Sequence, residues 1–534
     1  MKTILLNMIA AIILLLVPFQ NYSQAPPLGI AGKFVLFSTT GAVTNSGISQ
    51  LTGNIGTNGS SSTGFGNVNG VMHDQDLTSA QCAADILIAY NQLDNTAPGF
   101  FPAPLLGNGV VLTPGVYSIS GAATLNLELT LNAQGNSNAV FIFQIAGAFS
   151  TNANSKIKLI NGALACNVFW KVEGLVSMAS GTVMKGTVIA NNAAINMNTN
   201  DTLEGRAFSI AGAVTVDGIM AYTPTGCGST ILTGPAAPST STVDCFALFS
   251  SDGAVTNSGI TYLTGDVGTN TGLTTGFNPL NVTGTIHPIP DGSTAACASD
   301  LLTVYNHLNT LPYDVELLYP AQFGHNLVLT PHTYLLNAAA VLTDTLYLNA
   351  QDNTDAIFVI QVNGALSTST YSKVLLVNGA QAKNVFWKID GAVSINDYSV
   401  FSGTIICNNG AIDLTTGVIL NGRALTTTGT LTDISITATI PATCASTGIA
   451  PSSNTNSALV IYPNPFSTSL TVVSKALAEN IAELKLYSIT GAEVLAASFT
   501  KQVTIETSHL PAGIYFYKII YDGGTTQTGK LIAQ

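Results

Sequence analysis

Short runs of alternating apolar and polar residues, broken by Gly, Asn and Thr, fill most of the chain. Phe141-Ile-Phe-Gln-Ile145, Val168-Phe-Trp-Lys-Val172 and Arg206-Ala-Phe-Ser-Ile210 read as strands. Alternation predicts that Phe143, Ile145, Trp170, Val172, Phe208 and Ile210 point inward. The outward set, Ile142, Phe169, Val188 and Ala207, is still apolar, so something must cover this face. The helical pattern from Ser79 to Leu93 supplies the cover, with Cys82, Ile86, Tyr90 and Leu93 on one stripe. Cys297, Leu301, Tyr305 and Leu308 repeat that stripe later in the chain.

The repetition is general. Gly41 to Ile48 recurs as Gly253 to Ile260, Leu131 to Gln134 as Leu348 to Gln351, and Asn167 to Lys171 as Asn384 to Lys388. The offset is 212 early and 217 later, which marks two homologous copies with a few inserted loop residues. Within the first copy, small-residue corners at Gly121, Gly147, Gly174, Ala193 and Gly212 are spaced 26, 27, 19 and 19 residues apart. The second copy holds the same spacings from Ala338 through Gly364, Gly391, Gly410 and Gly429. A fixed period belongs to coils that stack on one another, and 19 residues accommodate three short strands and three corners. The expected fold is all-β dominated: two right-handed β-solenoids of triangular section, each with one flanking α-helix, followed by a small C-terminal β-sandwich.

The second strand of each coil carries the informative face. Val43, Ala123, Phe149, Val176, Ile195 and Val214 point inward. The outward positions are Thr44 and Ser46, Thr124 and Asn126, Ser150 and Asn152, Ser177 and Ala179, Asn196 and Asn198, and Thr215 and Asp217. In the second copy they are Thr256 and Ser258, Val341 and Thr343, Ser367 and Ser369, Ser394 and Asn396, Asp413 and Thr415, and Thr432 and Ile434, a less uniform set. Thr, Ser and Asn are ordinary on a solvated sheet, but exposed sheet normally carries protective charge, and Lys, Arg and Glu are missing here. The groups form a grid of about 4.7–4.9 Å between coils and about 6.6–6.8 Å along a strand. Such a grid suits a repeating, uncharged target, of which ice and a crystalline polysaccharide are examples.

Composition narrows the possibilities. Only 8% of the 534 residues are charged, and a net charge of −12 with 16 Lys and Arg excludes phosphate-backbone binding, so nucleic acid is not a partner. No Ser-His-Asp, HExxH, P-loop or GxGxxG context is present, so neither an enzyme nor a cofactor is expected. His73 beside Asp74 and Asp76 reads as a solvated turn rather than a metal site, and Arg206 and Arg423, the only arginines, as structural donors to corner carbonyls. Met1-Lys2 and the apolar run Ile4 to Phe19 make residues 1–23 a secretory signal peptide. No later stretch is long enough to span a membrane. The seven cysteines form no CxxC pair, and export favours disulfides. Cys166 precedes the strand that the Cys82 helix covers, which predicts Cys82–Cys166. In the second copy Lys383 stands at the position of Cys166, and Cys407, read as outward on the helix-covered face, is the partner expected for Cys297.

Leu112-Thr-Pro-Gly-Val-Tyr117, Leu131 to Gln134, Ala139 to Phe143 and Leu159 to Trp170 together resemble the microbial ice-binding family, a discontinuous right-handed β-solenoid with a flanking helix. Leu329-Thr-Pro331 and Val377 to Trp387 carry the resemblance in the second copy. It implies that one flat Thr/Ser/Asn face adsorbs to an ice crystal surface, placing that role on the ladder above. Ala458-Leu-Val-Ile-Tyr-Pro-Asn-Pro-Phe466 and Leu510-Pro-Ala-Gly-Ile-Tyr-Phe-Tyr517 are similar to the sorting domain of type IX secretion cargo. This implies the type IX machinery as an export partner and a secreted or cell-surface location. The expected organisation is signal peptide 1–23, solenoids 24–226 and 244–443, linkers 227–243 and 444–457, and sorting domain 458–534. The rival function is an adhesin or glycan-binding solenoid.

Overall fold

The coils of each copy pass along three faces, and their strands pair in parallel with counterparts in the neighbouring coils. The computed structural model describes residues 24–227, 231–441, 459–474, 482–488, 492–521 and 526–534; the segment expected to be a signal peptide and the stretch 444–457 lie outside them. The result is two right-handed solenoids with three faces each: one under the helix, one bearing the Thr/Ser/Asn ladder, and a third. The C-terminal unit has antiparallel sheets of three and four strands around Phe466, Leu470, Leu484, Leu486 and Ile519.

The coils do not stack in chain order. Phe34–Ser38 pairs with Thr202–Ser209 on one side and with Asn54–Thr57 on the other. The first coils in sequence are therefore the last in space. Helix α1 (Leu77–Asn95) then carries the chain back to the opposite end, and α2 (Gly292–Thr310) does the same in the second copy. Asp76 starts α1 with a capping box, its side chain accepting from Ser79 N. Cys82, Ile86, Tyr90 and Leu93 are buried along it as the stripe predicts. Its far end is held by polar contacts found in both copies. The Tyr90 hydroxyl donates to Glu173 (2.5 Å) and Gln144 Nε2 to Leu93 O (2.7 Å), while Tyr305 donates to Asp390 (2.8 Å) and Gln361 to Leu308 O (2.8 Å).

Inside copy 1 a column of aromatic rings runs along the axis. Phe143 stacks on Trp170 at 3.9 Å between centroids, Tyr117 on Phe143 at 5.2 Å, and Phe100 on Tyr117 at 4.8 Å. Trp170 Nε1 donates to Lys185 O (2.9 Å), so its one polar group is satisfied. The two arginines are structural donors, but to the 3-10 turn before the first strand of each copy rather than to a coil corner: Arg206 donates to Gly32 O through Nε and Nη2 (3.1 and 2.8 Å), and Arg423 to Asp244 O (3.3 and 3.0 Å).

Two expectations fail. The inward phase of the helix-face strands slips by one residue in the later coils. Trp170 pairs with Val188 and Val188 with Ala207, so both smaller residues line the core, whereas Phe208 and Ile210 pack under the helix. Because the side-chain period is two, one residue of misalignment inverts every assignment in a strand. The disulfides also differ: Cys166 bonds Cys227, and Cys82, Cys297 and Cys407 are buried free thiols. Helix α1 runs against the direction of coil stacking, so its first turns cover the later strands; Cys82 packs with Phe34, Phe37 and Phe208, and Cys166 is absent from that cluster. Cys407 points into the core rather than toward α2, and its thiol faces the carbonyls of Gly391 and Gly410. Cys245 is disulfide-bonded as well.

One carboxyl of copy 2 is buried in the core of the ladder sheet. Asp433 takes the place of the core residue Val216 and is 1% exposed. Thr261 Oγ1 lies 2.6 Å from Asp433 Oδ1 and 2.9 Å from Asn257 Oδ1, and it accepts from Ile436 N. Asn257 Nδ2 donates to Gly276 O, which fixes its oxygen toward Thr261. The Thr261 hydroxyl donates to Asp433 Oδ1, and Asp433 Oδ2 is buried without a partner, so burial outweighs the one hydrogen bond this carboxyl receives. Burial pushes this carboxyl up to about 7 from 3.8, and Asp201, also buried, up to about 6. The folded form thus holds its proton more tightly than the unfolded chain. The Asp433 contribution to stability is greatest below about pH 4, falls by up to about 1.4 kcal/mol per pH unit toward pH 7, and is flat above. Asp433→Val should raise the melting temperature at pH 8 and remove part of the pH 4–7 slope; thermal unfolding across that range, with an unchanged slope in the variant, would refute the assignment.

Candidate functional site

The ladder of copy 1 is a row of eight residues in register, one per strand: Leu105, Thr124, Ser150, Ser177, Asn196, Thr215, Thr44 and Thr63. Thr44 neighbours Thr215 because the first strand docks beside the last. Between these residues the strands turn Ala123, Leu125, Phe149, Val176, Ile195, Val214 and Val43 into the core, and all are buried. In copy 2 the row is Val341, Ser367, Ser394, Asp413, Thr432, Thr256 and Thr275. Thr63 and Thr275 extend the rows and were not singled out by the coil pattern. Each stands in a two-residue strand too short for alternation to register.

The second row behaves differently. Asn152 donates to Asn126 (2.7 Å) and Asn126 to Asn108 (2.7 Å), an amide chain along the corner. Asn198 turns back to Met178 O (2.6 Å) and Asn396 to Thr368 O (2.5 Å). Thr343 meets His325 Nε2 (2.9 Å), Thr415 donates to Ile395 O (3.2 Å), and Ser369 pairs with Ser372 (2.8 Å). These groups brace the corner. The first row stays open to solvent: among the described residues, the side chains of Ser177, Asn196, Ser367 and Thr256 have no protein partner. Where first-row neighbours touch, as Thr124 and Ser150 do at 3.0 Å, the bond runs along the row and fixes its hydroxyls at the coil spacing. Ser46 and Ser258, at the outer end of their strands, are exposed.

Charge is sorted between faces. The third face of copy 1 carries Lys156 and Lys158 on Glu128 (3.0 and 3.8 Å) and Lys185 on Glu204 (2.6 Å). The ladder face holds only Asp217 and, in copy 2, Asp413, each accepting from a threonine hydroxyl, Thr199 and Thr432. Chemically the face offers short hydroxyls, methyls and amides at fixed intervals, with no nucleophile–base pair. His73, the one histidine set among acids in copy 1, contacts Asp76 (2.7 Å) at the helix cap, while Asp74 accepts from Ser62, so this cluster belongs to the turn.

Comparison with known proteins agrees with this geometry. The Ice-binding-like family matches residues 37–221 and again 249–439, and the Secretion system C-terminal sorting domain matches 460–534. A protein of Nostoc sp. (strain HG1) described as "Ice-binding protein" is 38% identical over 216 residues, which are 39% of this chain and 80% of that one. Another of the same description, from Flavobacterium frigoris (strain PS1), is 32% identical over 201 residues, 34% of this chain and 70% of its own. The crystal structure of an ice binding protein from an Antarctic bacterium, Flavobacteriaceae, is 58% identical, covers 79% of this chain and 100% of its own, and superposes with a TM-score of 0.78.

Proposed function

The chain belongs to the ice-binding-like family through both of its solenoids, and from that premise we propose that it is a secreted protein that adsorbs to ice through the two first-row ladders. The role is adsorption rather than catalysis. The observation that carries this reading is the sorting of charge: the face with the regular grid is the one without cations. Short side chains with few rotamers lose little entropy on adsorption, and a neutral grid can hold a water layer at fixed spacing without the disorder that ion hydration imposes. Thr44, Thr124, Ser150, Ser177, Asn196 and Thr215 make the contact in copy 1, and Thr256, Ser367, Ser394 and Thr432 in copy 2. Asn126, Asn152, Asn198, Asn396, Thr343, Ser369 and Thr415 support the corner beside them, and Ser46 and Ser258 flank it. Solenoids 24–226 and 244–443 are the adsorbing units, and 458–534 is the export signal for the type IX machinery. Among the described residues no helix is long and apolar enough to cross a membrane.

Ser177→Tyr combined with Ser394→Tyr should remove most thermal hysteresis. The rings would hold ice away from Ser150, Asn196, Ser367 and Thr432, while both side chains project outward and stability shifts by less than about 1 kcal/mol. Lys158→Tyr on the third face should change neither property. Nanolitre osmometry decides between them: loss in the Lys158 variant with retention in the ladder variants would place adsorption on the wrong face. Removing residues 458–534 should leave the protein in the periplasm, and fractionation that finds the truncated chain at the cell surface would contradict the sorting role.

A further inference from the structure

The two solenoids touch each other directly. Asn69, Thr330 and Tyr334 form a cluster that is 4%, 3% and 0% exposed, although Asn69 belongs to copy 1 and the others to copy 2. Asn69 Nδ2 donates to Thr330 Oγ1 (3.0 Å), and the Tyr334 hydroxyl lies 2.7 Å from Asn69 Oδ1. Gln50 Nε2 adds a bond to His325 O (2.7 Å), and Asn67 Nδ2 bonds to Tyr319 O and Gln322 O (2.9 and 3.2 Å). The connecting segment is no free tether either. Leu232 O and Thr233 O accept from Asn353 Nδ2 (3.0 Å) and Ile357 N (2.9 Å) of copy 2.

The order of these contacts determines how the solenoids are related. Gln50 and His325 both stand at the corner where the ladder face passes into the third face. Thr225 and Asp352, beyond the opposite edges of the two third faces, line one shared cleft. Third face thus meets third face with like edges together. Two coils of the same hand can do this only with antiparallel axes, related by a half-turn about the strand direction. The pairing along the axes agrees: Asn67, past the end of copy 1, meets Tyr319 at the end of copy 2, and deeper in, Asn200 to Thr202 share a cleft with Asp344 and Tyr347. That half-turn puts the two ladder faces on one side of the molecule as the two slopes of a ridge, because each adjoins its own third face at a corner of a triangular section.

We infer that the contact is a clamp that holds the two ladders at one fixed inclination, so that ice growing around one copy meets the ladder of the other at a set angle. This rests on the ladder reading above. Buried amide–hydroxyl bonds resist rotation of one copy against the other, so the second face meets the crystal with far less orientational freedom to lose than a tethered one. The test uses the full chain carrying Gln50→Ala, Asn69→Ala and Tyr334→Phe, with Tyr334→Phe alone as a milder variant that keeps the core ring. Small-angle scattering should show a larger radius of gyration for the triple variant. Its hysteresis should fall from the wild-type value to that of a Ser394→Tyr chain, in which one ladder works. A separated variant with wild-type or greater hysteresis overturns the inference, as does scattering that shows no separation. Ice partitioning of the Ser177→Tyr/Ser394→Tyr chain serves as the control: continued partitioning would sink the ladder reading instead, with the clamp question decided apart from it.

Discussion

Parallel stacking in register is the constraint on which the other features depend. Each side chain sits directly between its counterparts in the coils above and below, about 4.8 Å away. A column of like charges at that spacing is self-repelling. Columns of charge are therefore built from opposite signs, as Lys156 with Glu128 and Lys185 with Glu204 are on the third face. Aromatic rings, by contrast, gain from being stacked, and Phe143 and Trp170 lie nearly parallel at 6°. At the corner between third face and helix face the same constraint removes side chains altogether. A Cβ on Gly205 would lie 1.9 Å from Gly186 O, and one on Gly422 would lie 1.8 Å from Gly403 O. A strand of eight residues can turn that corner unbroken only because both positions are glycine.

What the sequence made legible follows from the same periodicity. The coil spacing, the two copies, the helical stripes and the inward residues of the ladder strands all repeat, and repetition exposes them. The errors lie where repetition gives no anchor. The unbroken corner at Gly186 and Gly205 has no visible boundary, so counting from the neighbouring corners slid Val188 and Ala207 by one position. A comparison of Gly186 with Gly205 as stacked partners would have corrected it. The disulfide of Cys166 depends on where the chain goes after its last coil, at Cys227, which no local pattern encodes. The docking of the first strand beside the last is equally non-local, yet it is what places Thr44 next to Thr215.

The copies share a scaffold but fill it differently. Copy 1 has its aromatic column and Val216 at the core of the ladder sheet. Copy 2 has Tyr334, Ile360 and Trp387 in the corresponding interior and a buried carboxyl group at Asp433. Their surfaces diverge too, since Val341 and Asp413 interrupt the first row of copy 2. The face that meets the target is thus kept in form while the interior behind it and some of its own positions vary. The polar bracing of the helix end, Tyr90 with Glu173 and Tyr305 with Asp390, is held in both.

The insertion of the first strand beside the last bears on the order in which the structure can be built. Solenoids ordinarily have short-range contacts and can grow one coil at a time from any starting point. Here Phe34–Ser38 has no neighbour on one side until Thr202–Ser209 exists. The chain must close a loop of most of a copy before its opening strands are sheltered, which is the contact pattern of a slow, all-or-none folder rather than a repeat array. A chain that leaves a ribosome or a translocation channel N-terminus first would hold those strands exposed until nearly the whole copy had emerged. Each solenoid is in this sense a closed object made from an open motif, and it is complete only when its last coil arrives.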